Sequence, residues 1–138
     1  ARPQHGEKGK CFLHWEDVAA YAQGLVAALV PDQPDIVAEA QLAQLADIFG
    51  ERAHLCLTGR RRPGDALRLH RLEALAHRFG VRPLATGDVL YDSPDKRLLQ
   101  DVMTAIREHC TIDALGFRRE RFADRHLKSP AEMARRFR

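Results

Sequence analysis

The sequence predicts an α/β fold made of parallel βαβ units, on two observations. Three short apolar runs of strand length, Leu25–Val30, Ala53–Thr58 and Val81–Thr86, alternate with segments whose apolar residues recur at helical spacing. The segments between the runs are long enough to carry a helix back across a sheet, which makes the strands parallel neighbours rather than hairpin partners.

Taken in order, residues 1–10 read as a loose lead-in. Trp15 to Gln23 has helical spacing, with Trp15, Val18, Ala19 and Ala22 on one face and Gly24 as the stop. Leu25–Val30 is continuously apolar and ends at Pro31, the pattern of a strand buried on both faces. Asp35 is placed to cap a helix over Ile36–Phe49, which Gly50 closes. Ala53–Thr58 is the second strand and Gly59–Gly64 the loop after it. Asp65 is the natural cap of the next helix, where Leu72, Leu75, Ala76 and Phe79 share a face and Gly80 ends the run. Val81–Thr86 is the third strand, Gly87–Pro94 a loop, and Asp95–Glu108 a helix that is apolar at Leu98, Leu99, Val102, Ala105 and Ile106. Ser129-Pro130-Ala131-Glu132 places a cap, an N1 proline and a capping-box glutamate in sequence, so a last helix starts there.

Three strands are too few for a closed parallel barrel, which needs about eight. They suit a small open sheet or part of a larger one. The strong helix start at Ser129, so near Arg138, reads as a sign of a piece of a larger protein; the absence of Met at position 1 fits that, and fits removal of an initiator before Ala equally.

Composition narrows the class. A chain of 138 residues, 45% hydrophobic and 30% charged, suits one small globular domain. No apolar run approaches the roughly 18 residues of a membrane helix, and Ala1–Lys10 lacks the apolar stretch of a secretory signal, so the cytoplasm is the expected location. Cys11, Cys56 and Cys110 lie too far apart for the close pairs of a zinc site and read as reduced, mostly buried thiols. The net charge of +3 is unevenly spread. Residues 1–95 carry 11 Lys/Arg against 13 Asp/Glu, and residues 96–138 carry 11 against 6. A basic C-terminal third suits phosphate contacts, or a solvated face beside an acidic neighbour.

In parallel α/β folds chemistry gathers in the loops after the strands' C-terminal ends. Asp88 stands just beyond the third strand, where a carboxylate can meet a divalent metal, and Arg60-Arg61-Arg62 follow the second strand on the same expected rim. The three arginines suit a phosphate backbone or a solvated loop. One carboxylate is not a metal centre, and His5, His14, His54, His70, His77, His109 and His126 contain no H-x-H pair. His70 and His77 are expected on an outer helix face. The sequence has no phosphate loop, nucleophile elbow or dinucleotide turn. Glu16-Asp17 and Asp92/Asp95 are better explained as helix-terminus charges than as the paired Mg²⁺ ligands of a polymerase.

The stretch Leu84-Ala85-Thr86-Gly87-Asp88-Val89-Leu90-Tyr91, followed by Leu99-Gln100-Asp101-Val102-Met103-Thr104-Ala105-Ile106-Arg107-Glu108, is similar to the bacterial C-family DNA polymerases. Thr111-Ile112-Asp113 and Arg125-His126-Leu127-Lys128-Ser129-Pro130-Ala131-Glu132-Met133 continue the match, and Lys8–Cys11 and Gly24–Ala27 fit it as well. The closer resemblance is to the error-prone paralogue of the replicative alpha subunit, over about residues 8–138. It implies the C-terminal part of a polymerase-and-histidinol-phosphatase (PHP) domain over 1–115, belonging to a distorted (β/α)7-type barrel. Helices at the C-terminal end, 116–138, would then lead into the polymerase body.

By this resemblance the parent copies DNA across lesions in damage-induced mutagenesis and uses Mg²⁺. Its palm carboxylates would lie beyond Arg138 and most PHP metal ligands before Ala1. Asp88 matches the last PHP motif, an Asp-x-His in metal-binding members; Leu90 replaces that His, and Asp92 stands where the error-prone group commonly has His. Asp88 is therefore expected to be the remnant of a metal position, accepting hydrogen bonds from loop N–H groups. The segment itself is expected to be structural, without catalytic residues or cofactor. Expected partners are the rest of the polymerase chain, DNA through the parent, and other mutagenesis or replication proteins, with no membrane. The alternatives are a PHP-type metal-dependent phosphoesterase and a module binding nucleic acid or protein, whose DNA contacts would be weak and salt-sensitive.

Overall fold

A computed structural model describes residues 13–59, 61–119 and 122–137. They contain a three-stranded parallel sheet, β1 (Ala27–Leu29), β2 (Ala53–Thr58) and β3 (Arg82–Thr86), in the order β1-β2-β3. The five α-helices are α1 (Trp15–Ala20), α2 (Ile36–Phe49), α3 (Asp65–Arg78), α4 (Arg97–Arg107) and α5 (Pro130–Arg136). The alternation of strand and helix is the one read from the sequence. Cys11, His5 and Arg60 lie outside the described residues. No helix among the described residues is long and apolar enough to cross a membrane.

The chain packs as two compact units rather than the one its length suggests. The first takes the described residues of Ala1–Leu57 and Gly64–Leu84, the second those of Thr58–Pro63 and Ala85–Arg138. In the first unit β1 pairs with β2 through Ala27–Ala53, Ala28–His54 and Leu29–Leu55. Leu42, Leu45 and Phe49 of α2 and Leu72, Leu75 and Ala76 of α3 join Leu55 in one apolar core. Complete burial of Leu42, Leu55 and Leu72 stabilises this unit by about 2 kcal/mol each. The Asp35 carboxylate accepts from the Ala38 N–H at 2.8 Å, the cap expected for α2. Arg52 donates to the carbonyls of Ala22 and Leu25, both at 2.7 Å, and so holds the turn between α1 and β1.

Several expectations need correction. The Leu25–Val30 run is not a doubly buried strand: β1 covers only its middle, and Leu25, Val26 and Val30 are more than half exposed. β1 and β3 are the edges of a three-stranded sheet, so only β2 lies between strands, and only its side chains are mostly buried. α3 begins one residue earlier in its capping than expected. Its N-cap is Gly64, held at φ 77° where glycine is favoured, and Asp65 instead meets Arg68 at 2.8 Å. The Asp95–Glu108 helix opens with a 3₁₀ turn over Pro94–Lys96, and α4 proper starts at Arg97.

In the second unit α4 buries Asp101 and Ala105, while Leu98, Leu99, Met103 and Ile106 are exposed. Tyr91 forms a parallel bridge with His126: the Leu90 N–H donates to the Arg125 carbonyl at 2.8 Å and the Leu127 N–H to the Tyr91 carbonyl at 3.0 Å. The two stretches Leu84–Tyr91 and Arg125–Met133, distant in sequence, are joined by this bridge. Ser129 caps α5, its hydroxyl accepting from the Glu132 N–H at 3.2 Å, with Pro130 in the first turn.

Candidate functional site

Within the second unit the strand-end loops open onto one cleft of about 700 Å³. Thr58 and Thr86, the last residues of β2 and β3, share a hydroxyl–hydroxyl hydrogen bond of 2.7 Å that keeps the two loop origins adjacent. Beyond Thr58 the wall is formed by Gly59, Arg61, Arg62 and Pro63; beyond Thr86 it is formed by Gly87 and Asp88. The expected common rim of the arginine loop and Asp88 is therefore present. Phe117, Arg118 and Arg119 follow from the 3₁₀ segment Asp113–Arg118, and Phe122, Asp124 and Arg125 complete the lining.

Five of these residues are arginines and two are aspartates, so the lining carries an excess of positive charge. Each aspartate is held by guanidinium groups. Arg125 reaches Asp88 twice, an Nη to the carboxylate at 2.9 Å and Nε to the backbone carbonyl at 2.9 Å. The Asp88 carboxylate thus meets a guanidinium, not the loop N–H groups expected for it; its own backbone takes φ 46°, a left-handed conformation that Asp tolerates better than most residues. Asp124 receives two hydrogen bonds of 2.7 Å from Arg136 and a further contact of 3.3 Å from Arg61. The bidentate geometry is the strong form of this pairing. It holds the Asp124 carboxyl below the usual carboxylate range, against partial burial, which acts the other way.

Beside the cleft, Arg119 is anchored from the interior. The Asp101 carboxylate, almost wholly buried, accepts from Arg97 at 3.0 Å and from Arg119 at 3.3 Å. Arg118 pairs with Glu108. Arg62 makes no ion pair among the described residues and stands exposed at the mouth. The Phe117 ring is fully exposed and Phe122 is half exposed. The cleft can thus offer guanidinium donors and aromatic faces to one ligand.

Of the other positions singled out by sequence, Leu90 and Asp92 do not line the cleft. His70 and His77 are exposed on α3, as expected. Cys56 is a buried cysteine and Cys110 a half-buried one. Among the described residues no three His, Cys, Asp or Glu side chains converge as metal ligands. Asp17 and Asp95 both lie in first helical turns, as read; the His14 N–H holds the Asp17 carboxyl low and the Ser93 hydroxyl does the same for Asp95. Sequence reasoning gave no role to Asp101, Arg119, Asp124, Arg125 or Phe117. The only signal for Asp101 and Arg125 was their place inside the two long motif stretches.

Comparison with known proteins gives the relationship. The chain is 52% identical over 132 residues to Error-prone DNA polymerase 2 of Agrobacterium fabrum, and 52% identical over 132 residues to Error-prone DNA polymerase 2 of Rhizobium meliloti. It is 42% identical over 132 residues to the Error-prone DNA polymerase of Caulobacter vibrioides. These matches take in 95–96% of the chain and 12% of each relative. The chain is therefore homologous to a segment of bacterial error-prone DNA polymerases and spans about 12% of the length of the curated relatives it matches. No protein-family model matches it.

Proposed function

We propose that the chain is a structural, non-catalytic segment of an error-prone DNA polymerase acting in damage-induced mutagenesis and translesion synthesis. The observation that carries this reading is the 52% identity maintained over 132 residues to proteins of that name. Within the polymerase we assign residues 1–115 to the C-terminal part of the PHP domain, so that β1–β3 are part of its distorted barrel, and 116–138 to the connection into the polymerase body. This boundary is one of sequence resemblance rather than of compactness, because Ala85–Arg138 belong to one packed unit. The exposed apolar residues flanking β1 and on α4 support the reading, since surface of that kind usually meets other protein. The expected partners are the remainder of the polymerase chain, DNA through that chain and other mutagenesis or replication proteins, in the cytoplasm. Mg²⁺ would serve the parent's palm and not this segment.

At Asp88 the resemblance places a former PHP ligand. Its carboxylate is engaged by Arg125, and Leu90 offers neither lone pair nor charge where the ligand His would stand, which supports a site that no longer holds metal. The decisive test is the chromosomal sequence on either side. An upstream region carrying an H-x-H pair and a downstream polymerase core are expected; an independent short gene, or unrelated flanks, would overturn the assignment. At the bench, Asp88→Asn is expected to leave metal content at background. Stoichiometric Mn²⁺ or Zn²⁺ binding that disappears in this variant would reinstate the phosphoesterase alternative.

A further inference from the structure

We infer that the cleft of the second unit binds single-stranded nucleic acid, with phosphates on Arg62, Arg118 and Arg119 and an unpaired base stacked on Phe117 or Phe122. The argument begins with the cations. Arg62 has no ion-pair partner among the described residues, and the Arg118 and Arg119 side chains keep 57% and 43% of their surface exposed although each meets one carboxylate. A guanidinium has five N–H donors, and one carboxylate contact leaves others for a phosphate oxygen. Asp101 fixes the Arg119 side chain from below, so its donors are presented without the full entropy cost of ordering a mobile arginine.

The rings decide the class of ligand. Phe117 lies in the cleft lining with its side chain wholly in solvent, beside Arg118, and Phe122 is half exposed in the same lining. An acidic protein segment or a lone phosphate would satisfy the arginines but leave the aromatic faces in water. A nucleic-acid strand satisfies both, since bases stack on aromatic side chains while the backbone follows the basic groove. In a duplex those base faces are already covered, so the geometry favours the unpaired strand. This deepens the polymerase reading and rests on it for the choice of a nucleic-acid partner.

The test is fluorescence anisotropy of the 138-residue chain with a labelled short oligothymidylate, compared with a duplex of equal length. The expected result is tighter binding of the single strand, with log K against log[salt] falling at a slope of about −2 for three phosphate contacts. Phe117→Ala is expected to weaken binding roughly tenfold and Phe117→Tyr to retain it; because Phe117 is fully exposed, neither change disturbs the fold. Arg62→Glu should weaken binding and flatten the salt slope. Arg71→Glu, the same charge change on an exposed residue of α3, should not. The inference is overturned if no saturable binding appears at low salt, or if Arg71→Glu weakens it as much as Arg62→Glu. It is equally overturned if duplex binds as well as single strand. Displacement by pyrophosphate or thymidine monophosphate as effective as by the oligonucleotide would reassign the cleft to free phosphates, and displacement by polyglutamate to an acidic protein. Each of these failures leaves the polymerase assignment standing, because that is decided by the flanking chromosomal sequence.

Discussion

On α4 the side chain turned most completely inward is a carboxylate. Asp101 retains 2% of its side-chain surface, while Arg97 and Arg119, which meet it, retain 26% and 43%. This asymmetry decides what truncation would do. Removing Asp101 leaves two cations that water can still reach, so the large penalty for stranding a buried charge does not arise. What is lost includes the charge-assisted hydrogen bonds from Arg97 and Arg119 and the packing of one side chain. Asp101→Ala should therefore destabilise the second unit by about 2 kcal/mol, measured by urea unfolding; Arg119→Ala takes one donor from a buried carboxylate that keeps Arg97, and should cost about 1 kcal/mol. Equal costs for the two would show that Asp101 is not the shared anchor. The same logic separates Asp101 from Asp88, whose single guanidinium partner sits at a similar exposure to its own and contributes correspondingly less.

At the level of elements, α2 and α3 were legible in the chain because their signals are local. Ala38, Leu42, Leu45 and Phe49 follow the helical repeat, and all four are buried. Asp35 sits where an N-cap is needed and makes the bond; Asp35→Ala should cost about 1 kcal/mol, seen as a lowered thermal midpoint of the first unit, while Asp35→Ser should restore most of it. β1 was misread for the opposite reason. An apolar run shows that a strand can be covered on both faces, but what covers it is a property of distant elements, and Leu25, Val26 and Val30 remain exposed. The cleft was legible in part. The position of Arg61, Arg62 and Asp88 follows from the rule that loops after parallel strands share a rim. The partners Arg125 and Asp124 lie 37 and 63 residues from the groups they hold in Asp88 and Arg61, a separation at which periodicity and capping carry no information. α4 adds a further lesson: of the apolar residues read along it, Ala105 is buried while Leu98, Leu99 and Ile106 are exposed, and the buried face also bears Asp101.

For the molecule as a whole, the two units differ in what holds them. The first has a continuous apolar core. The second buries few apolar side chains, Tyr91, Ala105 and Leu115 among them, and depends more on ion pairs. Its stability should accordingly be the more sensitive to acid. The carboxyl of Asp124 is depressed in the folded state by its hydrogen bonds from Arg136. A depressed folded value means that its contribution is fully present above the unfolded value of about 3.9 and is lost as pH falls through the lower, folded one. The difference in stability between the parent chain and Asp124→Asn should be about 1 kcal/mol at neutral pH, allowing for partial exposure, should begin to shrink below about pH 4, and should vanish only below the lower, folded value. Chemical denaturation at stepped pH, followed by amide NMR signals of α4 and α5, reads this directly. A gap that stays constant into acid would mean that the Arg136 pair is not what Asp124 contributes.

Cys56 sits buried at the centre of β2, and Cys110 lies half-buried in the second unit. A thiol reacts with an alkylating reagent only as an accessible thiolate, so the buried sulfur of Cys56 is a built-in clock for the first unit. With Cys11 replaced by serine, the labelling rate at Cys56 reports how often that unit opens, and the half-buried Cys110 supplies the rate of a partly accessible thiol in the same tube. Mass spectrometry of the two peptides at successive times would then give the opening frequency of the first unit without denaturant.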